Sequence, residues 1–275
     1  MSMFKSPMVL VVVMATALSA WAQEPATGGA SEQQDQTSEL AKKTQNPVAD
    51  LTIMPLQYNI DYGIGPAGAS QQTLKFMPVI PFSLGPDWNL ITRTIIPWID
   101  AESPVEGGED KSGLGDIQQS FFFTPKKPVG GWILGAGPII QYQSATDDAL
   151  GSEKWGAGPS VIALQQKNGW TIGTLANHVW SFAGNDDRAN VNMTFLQPFL
   201  AKTTKSYTTY SINTESLYDW ENSQWTVPIN VSIGQMFKIG KQPISLELGY
   251  RYYAEKPEGG PDWGLRVFVK FLFPK

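Results

Sequence analysis

The chain has 275 residues, with 25 acidic against 20 basic side chains, a formal net charge of −5 and no cysteine. The acidic balance argues against nucleic acid as a partner, and the lack of cysteine excludes disulfides and thiolate-held metal. A single histidine, His178, leaves no imidazole cluster, so neither a metal nor an organic cofactor is implied.

Met1 to Ala22 opens with Lys5, continues through the apolar run MVLVVVMATAL and ends in SAWAQ, where Ala20 and Ala22 supply the small-x-small pattern of a signal-peptidase site. Residues 1–22 are therefore expected to be a cleaved export signal, because the apolar run is well short of the ~20 residues that span a bilayer as a helix. Residues 23–49 read as a flexible lead, since Gln23 to Gln45 has almost no large apolar side chain. The lead ends in SELAKKTQNP, which predicts a short helix: Ser38 caps it, Glu39 suits its positive end, Lys42 and Lys43 its negative end, and Pro47 stops it. So short a helix is not stable alone, and the lead is a candidate plug for the domain that follows.

From residue 50 to 275 helical periodicity is absent, and about twelve stretches of strand character are separated by turn-forming clusters. They run near 52–64, 72–83, 88–100, 115–124, 131–144, 155–166, 169–182, 190–201, 206–218, 225–237, 243–254 and 262–273. In the first, MPLQYNIDYGI sets Met54, Leu56, Tyr58, Ile60, Tyr62 and Ile64 on one face and Gln57, Asn59 and Asp61 on the other. The alternation is clearest where Trp225, Val227, Ile229, Val231 and Ile233 share one face, and where Trp263, Leu265, Val267, Val269, Phe271 and Phe273 do. An even count of strands of about ten residues each predicts an all-β, antiparallel up-and-down barrel. Short connections such as SLGPDW, QKNG and KIGKQP alternate with long ones such as AESPVEGGEDKSGLG, SATDDALGSEK and AEKPEGGP. Outer-membrane barrels have this asymmetry, with the short turns in the periplasm. The short turns collect lysines, among them Lys126, Lys167, Lys202 and Lys241, while the long loops collect acids such as Glu102, Glu109, Asp147, Glu153 and Glu258.

Alternation alone does not tell a lipid-facing wall from a soluble core. Tryptophan placement does: Trp88, Trp132 and Trp170 fall at the short-turn ends of strands, and Trp98, Trp155, Trp180, Trp220, Trp225 and Trp263 at the long-loop ends. Two aromatic belts one strand-length apart suit the two water–lipid interfaces, with outer-membrane lipid and lipopolysaccharide as the surroundings. The opposite face carries Gln57, Asn59, Asp61, Lys75, Arg93, Gln118, Asn177, Asn192, Asn213, Glu215, Glu247, Arg251, Arg266 and Lys270, with Gly135, Gly137, Gly156 and Gly158. Turned inward, these residues line a hydrated lumen where opposite charges pair.

The segments ELAKKTQNPVADL, PVIPFSLGPDWNLITRTIIP, GLGDI, GWILGAGP and WGAGPS together resemble the bacterial outer-membrane proteins of the MetA pathway of phenol degradation, often labelled neuromedin U. The resemblance runs from about Glu39 to the C-terminus. It implies an exported outer-membrane barrel that acts as a transporter and is inserted by the barrel-assembly machinery, and it carries over no catalytic or binding residue. The last strand ends FLFPK rather than on an aromatic.

Catalysis has a weak footing. His178 lies on the apolar face near the long-loop rim, and the positions two before and two after it are Ala176 and Trp180, so no serine shares its strand face. The acidic loops EGGED, TDD and NDD lack EF-hand spacing. The two GAG stretches are followed by proline and no helix, which excludes a dinucleotide fingerprint. The candidate selectivity residues are Asp61, Lys75, Arg93, Glu215, Glu247, Arg251, Arg266 and Lys270, with Glu247, Arg251 and Arg266 expected near one another. The leading expectation is a passive transporter or narrow channel for small molecules, aromatic compounds being suggested only by the family label. A non-conducting structural barrel is the alternative, and a lipid-modifying enzyme a third.

Overall fold

A computed structural model describes residues 40–274. The export signal, most of the lead, and Ser38 and Glu39 of the predicted helix cap lie outside the described residues.

The chain forms fifteen strand segments: β1 (Thr52–Ile64), β2 (Ala69–Phe76), β3 (Val79–Leu84), β4 (Trp88–Ala101), β5 (Lys111–Leu114), β6 (Gln118–Pro125), β7 (Ile133–Gln141), β8 (Lys154–Lys167), β9 (Trp170–Gly184), β10 (Asn192–Thr203), β11 (Thr208–Thr214), β12 (Ser216–Asp219), β13 (Gln224–Ile239), β14 (Gln242–Glu255) and β15 (Trp263–Phe273). Two predicted strands are interrupted, giving the pairs β2/β3 and β11/β12, and a third pair, β5/β6, arises because β5 forms within the stretch expected to be a long loop, ahead of the predicted 115–124 strand. Both members of each pair lie against the same neighbour, β4 for β2/β3 and β5/β6 and β10 for β11/β12, so the wall has twelve strands. All pairings are antiparallel, and β1 closes the barrel on β15 from Thr52↔Phe273 to Tyr62↔Trp263. The interruptions have local causes. Pro78 removes a backbone donor between β2 and β3. Glu215 sits between β11 and β12 with Pro198 on one neighbouring strand and Pro228 on the other, and its pairing lapses on both sides.

Turn chemistry fits the short-turn rim. Asn168 and Gly169 alone join β8 to β9, both with positive φ (51° and 76°), the geometry that a two-residue hairpin requires and that Asn-Gly adopts readily. Side-chain polarity is inverted relative to a soluble domain: Leu248 on the outer wall is 49% exposed, whereas the adjacent Glu247 is 8% exposed inside. Leu56, Leu74, Ile172, Val231 and Leu265 also face outward and are exposed. Strands that bury polar groups and expose apolar ones are stable when hydrocarbon surrounds them.

Candidate functional site

The lumen is built in two layers. At the short-turn end the segment before β1 enters the barrel. Residues 40–43 form a helical turn, Thr44 N–H donates to Leu40 O, and Pro47 follows where no helix can continue. Ala41, Val48, Ala49 and Leu51 are buried against Ile53, Ile91, Phe122, Leu164, Leu175, Met236 and Leu272 from the surrounding wall. The Gln166 side-chain amide donates to Lys42 O, and Asn46 Oδ1 accepts from Val48 N–H. This apolar floor departs from the expectation of a uniformly polar lumen. Its wall residues share strand parity with the polar set, but all lie near the short-turn ends, where the inserted segment replaces water.

Above the floor comes a belt of charge. All eight predicted selectivity residues point inward. Arg266 reaches across the lumen and binds Glu215 in a bidentate fork at 2.9 and 2.8 Å, while its Nε donates to Asn59 Oδ1. Arg251 faces Asp61 at 3.4 Å. Lys270 donates to Glu247 at 3.1 Å, and Ser232 Oγ donates to the same carboxylate. Glu247 and Arg266 lie within electrostatic reach, yet the ion pairs formed join each to another partner. Lys75 and Arg93 form no ion pair among the described residues. Between floor and belt lies a cavity of about 150 Å³, bounded by Thr44–Pro47 below and by Arg93, Glu215, Glu247, Arg266 and Lys270 above.

On the outside, Trp88, Trp98, Trp132, Trp155, Trp170, Trp180, Trp220, Trp225 and Trp263 are all exposed. Asn192, assigned to the polar face by parity, lies instead beside His178 on the outer wall. His178 Nε2 contacts Asn192 Oδ1 at 3.0 Å, and His178 Nδ1 contacts Thr194 Oγ1 at 2.7 Å. Trp220 Nε1–H donates to the same threonine, and the Trp180 ring lies 4.0 Å from the imidazole. Sequence reasoning missed this set because Thr194 comes from the neighbouring strand. Among the described residues no three His, Cys, Asp or Glu side chains gather as a metal site. The loop acids bind local partners: Asp147 accepts from Ala149 N–H, which holds its carboxyl below the usual range, and Asp116 accepts from Ser152 N–H and Oγ–H.

Among solved structures, the chain is similar to an outer-membrane channel from Pseudomonas putida F1, with a TM-score of 0.63 and 14% identity over 82% of this chain and 96% of that one. It is also similar to the NanC porin, with a TM-score of 0.51 and 12% identity over 79% of this chain and 98% of that one. At such identities the likeness establishes the fold, that of outer-membrane β-barrels. No family model matches the chain, and no curated protein does.

Proposed function

We propose that the protein is an outer-membrane channel through which small molecules cross passively, a member of the MetA-pathway transporter type whose motifs it resembles. Residues 40–51 act as a stopper at the short-turn end. The carrying observation is the cavity between stopper and charged belt: the inserted segment is held inside a closed wall by side-chain packing and side-chain hydrogen bonds such as Gln166 to Lys42 O, not as a strand of that wall, so it can leave without any strand parting. The outer wall belongs in lipid, with lipopolysaccharide facing the acidic loops, and the barrel-assembly machinery is the partner in biogenesis.

Single-channel recording in planar bilayers tests this. The refolded chain starting at Gln23 is expected to show small, discrete conductance, and removal of residues 23–47 to increase it several-fold. Silence in both forms, from barrels shown to be folded by heat-modifiable mobility, would overturn the proposal in favour of a structural barrel.

The His178–Thr194–Asn192 set is read as a structural knot beneath Trp220. Folded protein is accordingly expected to leave phospholipid and lipopolysaccharide acyl chains intact. Acyl release that disappears in His178→Ala and Thr194→Val would replace this reading with an enzymatic one.

A further inference from the structure

The charged belt contains five cations, Lys75, Arg93, Arg251, Arg266 and Lys270, against three carboxylates, Asp61, Glu215 and Glu247. Glu215 is the carboxylate on which four of the five cations converge, Lys270 being paired with Glu247. Arg266 grips it directly, and Arg251, Lys75 and Arg93 lie within electrostatic reach. Arg251 is committed to Asp61 and lies over the Tyr253 ring, and the pair leaves one donor, Arg251 Nε, and one acceptor, Asp61 Oδ1, buried without hydrogen-bond partners, so the surplus in the belt is one of charge. Glu215 is also the residue whose backbone has lost its ladder on both sides, beside Pro198 and Pro228. A side chain on such a segment moves at less cost than one in an unbroken strand.

From this arrangement we infer that Glu215 is a tethered stand-in for the ligand: the lumen contains a binding site for a small organic monocarboxylate, which enters by displacing Glu215 from Arg266. The inference rests on the channel reading and adds the class of solute. A planar carboxylate matches the fork that Arg266 already offers to Glu215. Lys75 and Arg93 supply the charge that makes the exchange favourable, because an incoming anion is attracted by cations with no acid of their own. The rest of the molecule has a place too. The lining of the cavity beside Arg93 and Arg266 includes Ile53, Val79, Phe199 and Phe268 as well as the polar Gln57, Gln197, Ser211 and Asn213, and its volume of about 150 Å³ equals that of an apolar cavity able to hold a benzene ring. A carboxylate with a compact apolar body fits both halves.

Benzoate serves as the probe, with benzyl alcohol as its uncharged counterpart, and binding to the folded chain in detergent micelles is read by saturation-transfer NMR. Glu215→Gln keeps the side chain's shape and one acceptor for Arg266 but removes the competing charge. It is expected to tighten benzoate binding by about tenfold or more and to leave benzyl alcohol unchanged. Lys75→Gln with Arg93→Gln, made in the otherwise unchanged chain, is expected to weaken benzoate binding and leaves the Glu215–Arg266 pair intact, so the test survives if the first variant does not fold. Equal benzoate affinity in all folded forms, or an equal gain for benzyl alcohol, would overturn the inference. Bilayer recording separates it from the channel reading. Benzoate binding without current retains the site and removes the channel, whereas current whose chloride-over-potassium preference is the same in every variant, without benzoate binding, retains the channel and removes the site.

Discussion

Gly158 has no side chain because there is no room for one: a Cβ there would lie 1.8 Å from the carbonyl oxygen of His178. Gly137 is in the same position relative to Phe121 O, at 1.9 Å. Each glycine precedes a proline, and Pro138 and Pro159 face each other across β7 and β8. A proline has no N–H to give to the next strand. The pairing of β6 with β7 accordingly lapses between Ser120↔Ile139 and Phe123↔Ala136, and that of β8 with β9 between Ala157↔Trp180 and Ser160↔Asn177. Across each lapse the backbones close in, so the two GAGP stretches are one paired structural device and not a ligand loop. Gly158→Ala is expected to cost about 1–3 kcal/mol or more through overpacking. Gly234→Ala, whose nearest contact would be the Glu247 side chain at 3.3 Å, is expected to change stability by less than about 1 kcal/mol. Urea unfolding in lipid vesicles checks both, and equal effects would mean that the wall relaxes freely around Gly158.

At the scale of elements, the segment before β1 is held by its own small apolar face. Ala41 is 1% exposed against a floor in which Phe122 is fully buried. Ala41→Asp would place a carboxylate there without a partner, a cost of several kcal/mol that undocking avoids. Trypsin cleavage after Lys42 and Lys43 is therefore expected to speed up by at least about tenfold in Ala41→Asp, with the barrel still folded. Unchanged cleavage would mean that the segment is already free. The strands themselves were readable from residue order, mostly to within one to three residues at each end, because an apolar face opposite a polar face leaves little choice of register. Two features were hidden. The apolar floor escaped because parity sorts a whole strand at once, although Ile53, Ile91, Phe122, Leu164 and Leu272 did mark the short-turn ends of the polar face. The Arg266–Glu215 pair escaped because β15 and the β11/β12 strand are not neighbours in the wall, and contact across a lumen leaves no trace in sequence spacing.

For the whole molecule, the inside and outside of one strand experience different solvents. Glu247 turns to the charged lumen, while Leu248 turns outward from the middle of β14. If hydrocarbon surrounds that wall, the penalty for a charge depends on depth, because near the rim a long cationic side chain reaches water and at the midplane it does not. Leu248→Arg is then expected to destabilise the barrel in vesicles by about 2–4 kcal/mol, and Trp88→Arg, at the first position of β4, to cost only about 0–1 kcal/mol from charge. The comparison needs a correction for lost aromatic contact at Trp88, which Trp88→Leu supplies. Depth-dependent cost in vesicles distinguishes a lipid-embedded wall from an apolar surface covered by protein, since a protein partner has no reason to grade its penalty along the strand axis. Equal costs at Leu248 and Trp88 would remove lipid from the outer wall, and with it the reason that polar side chains line the inside.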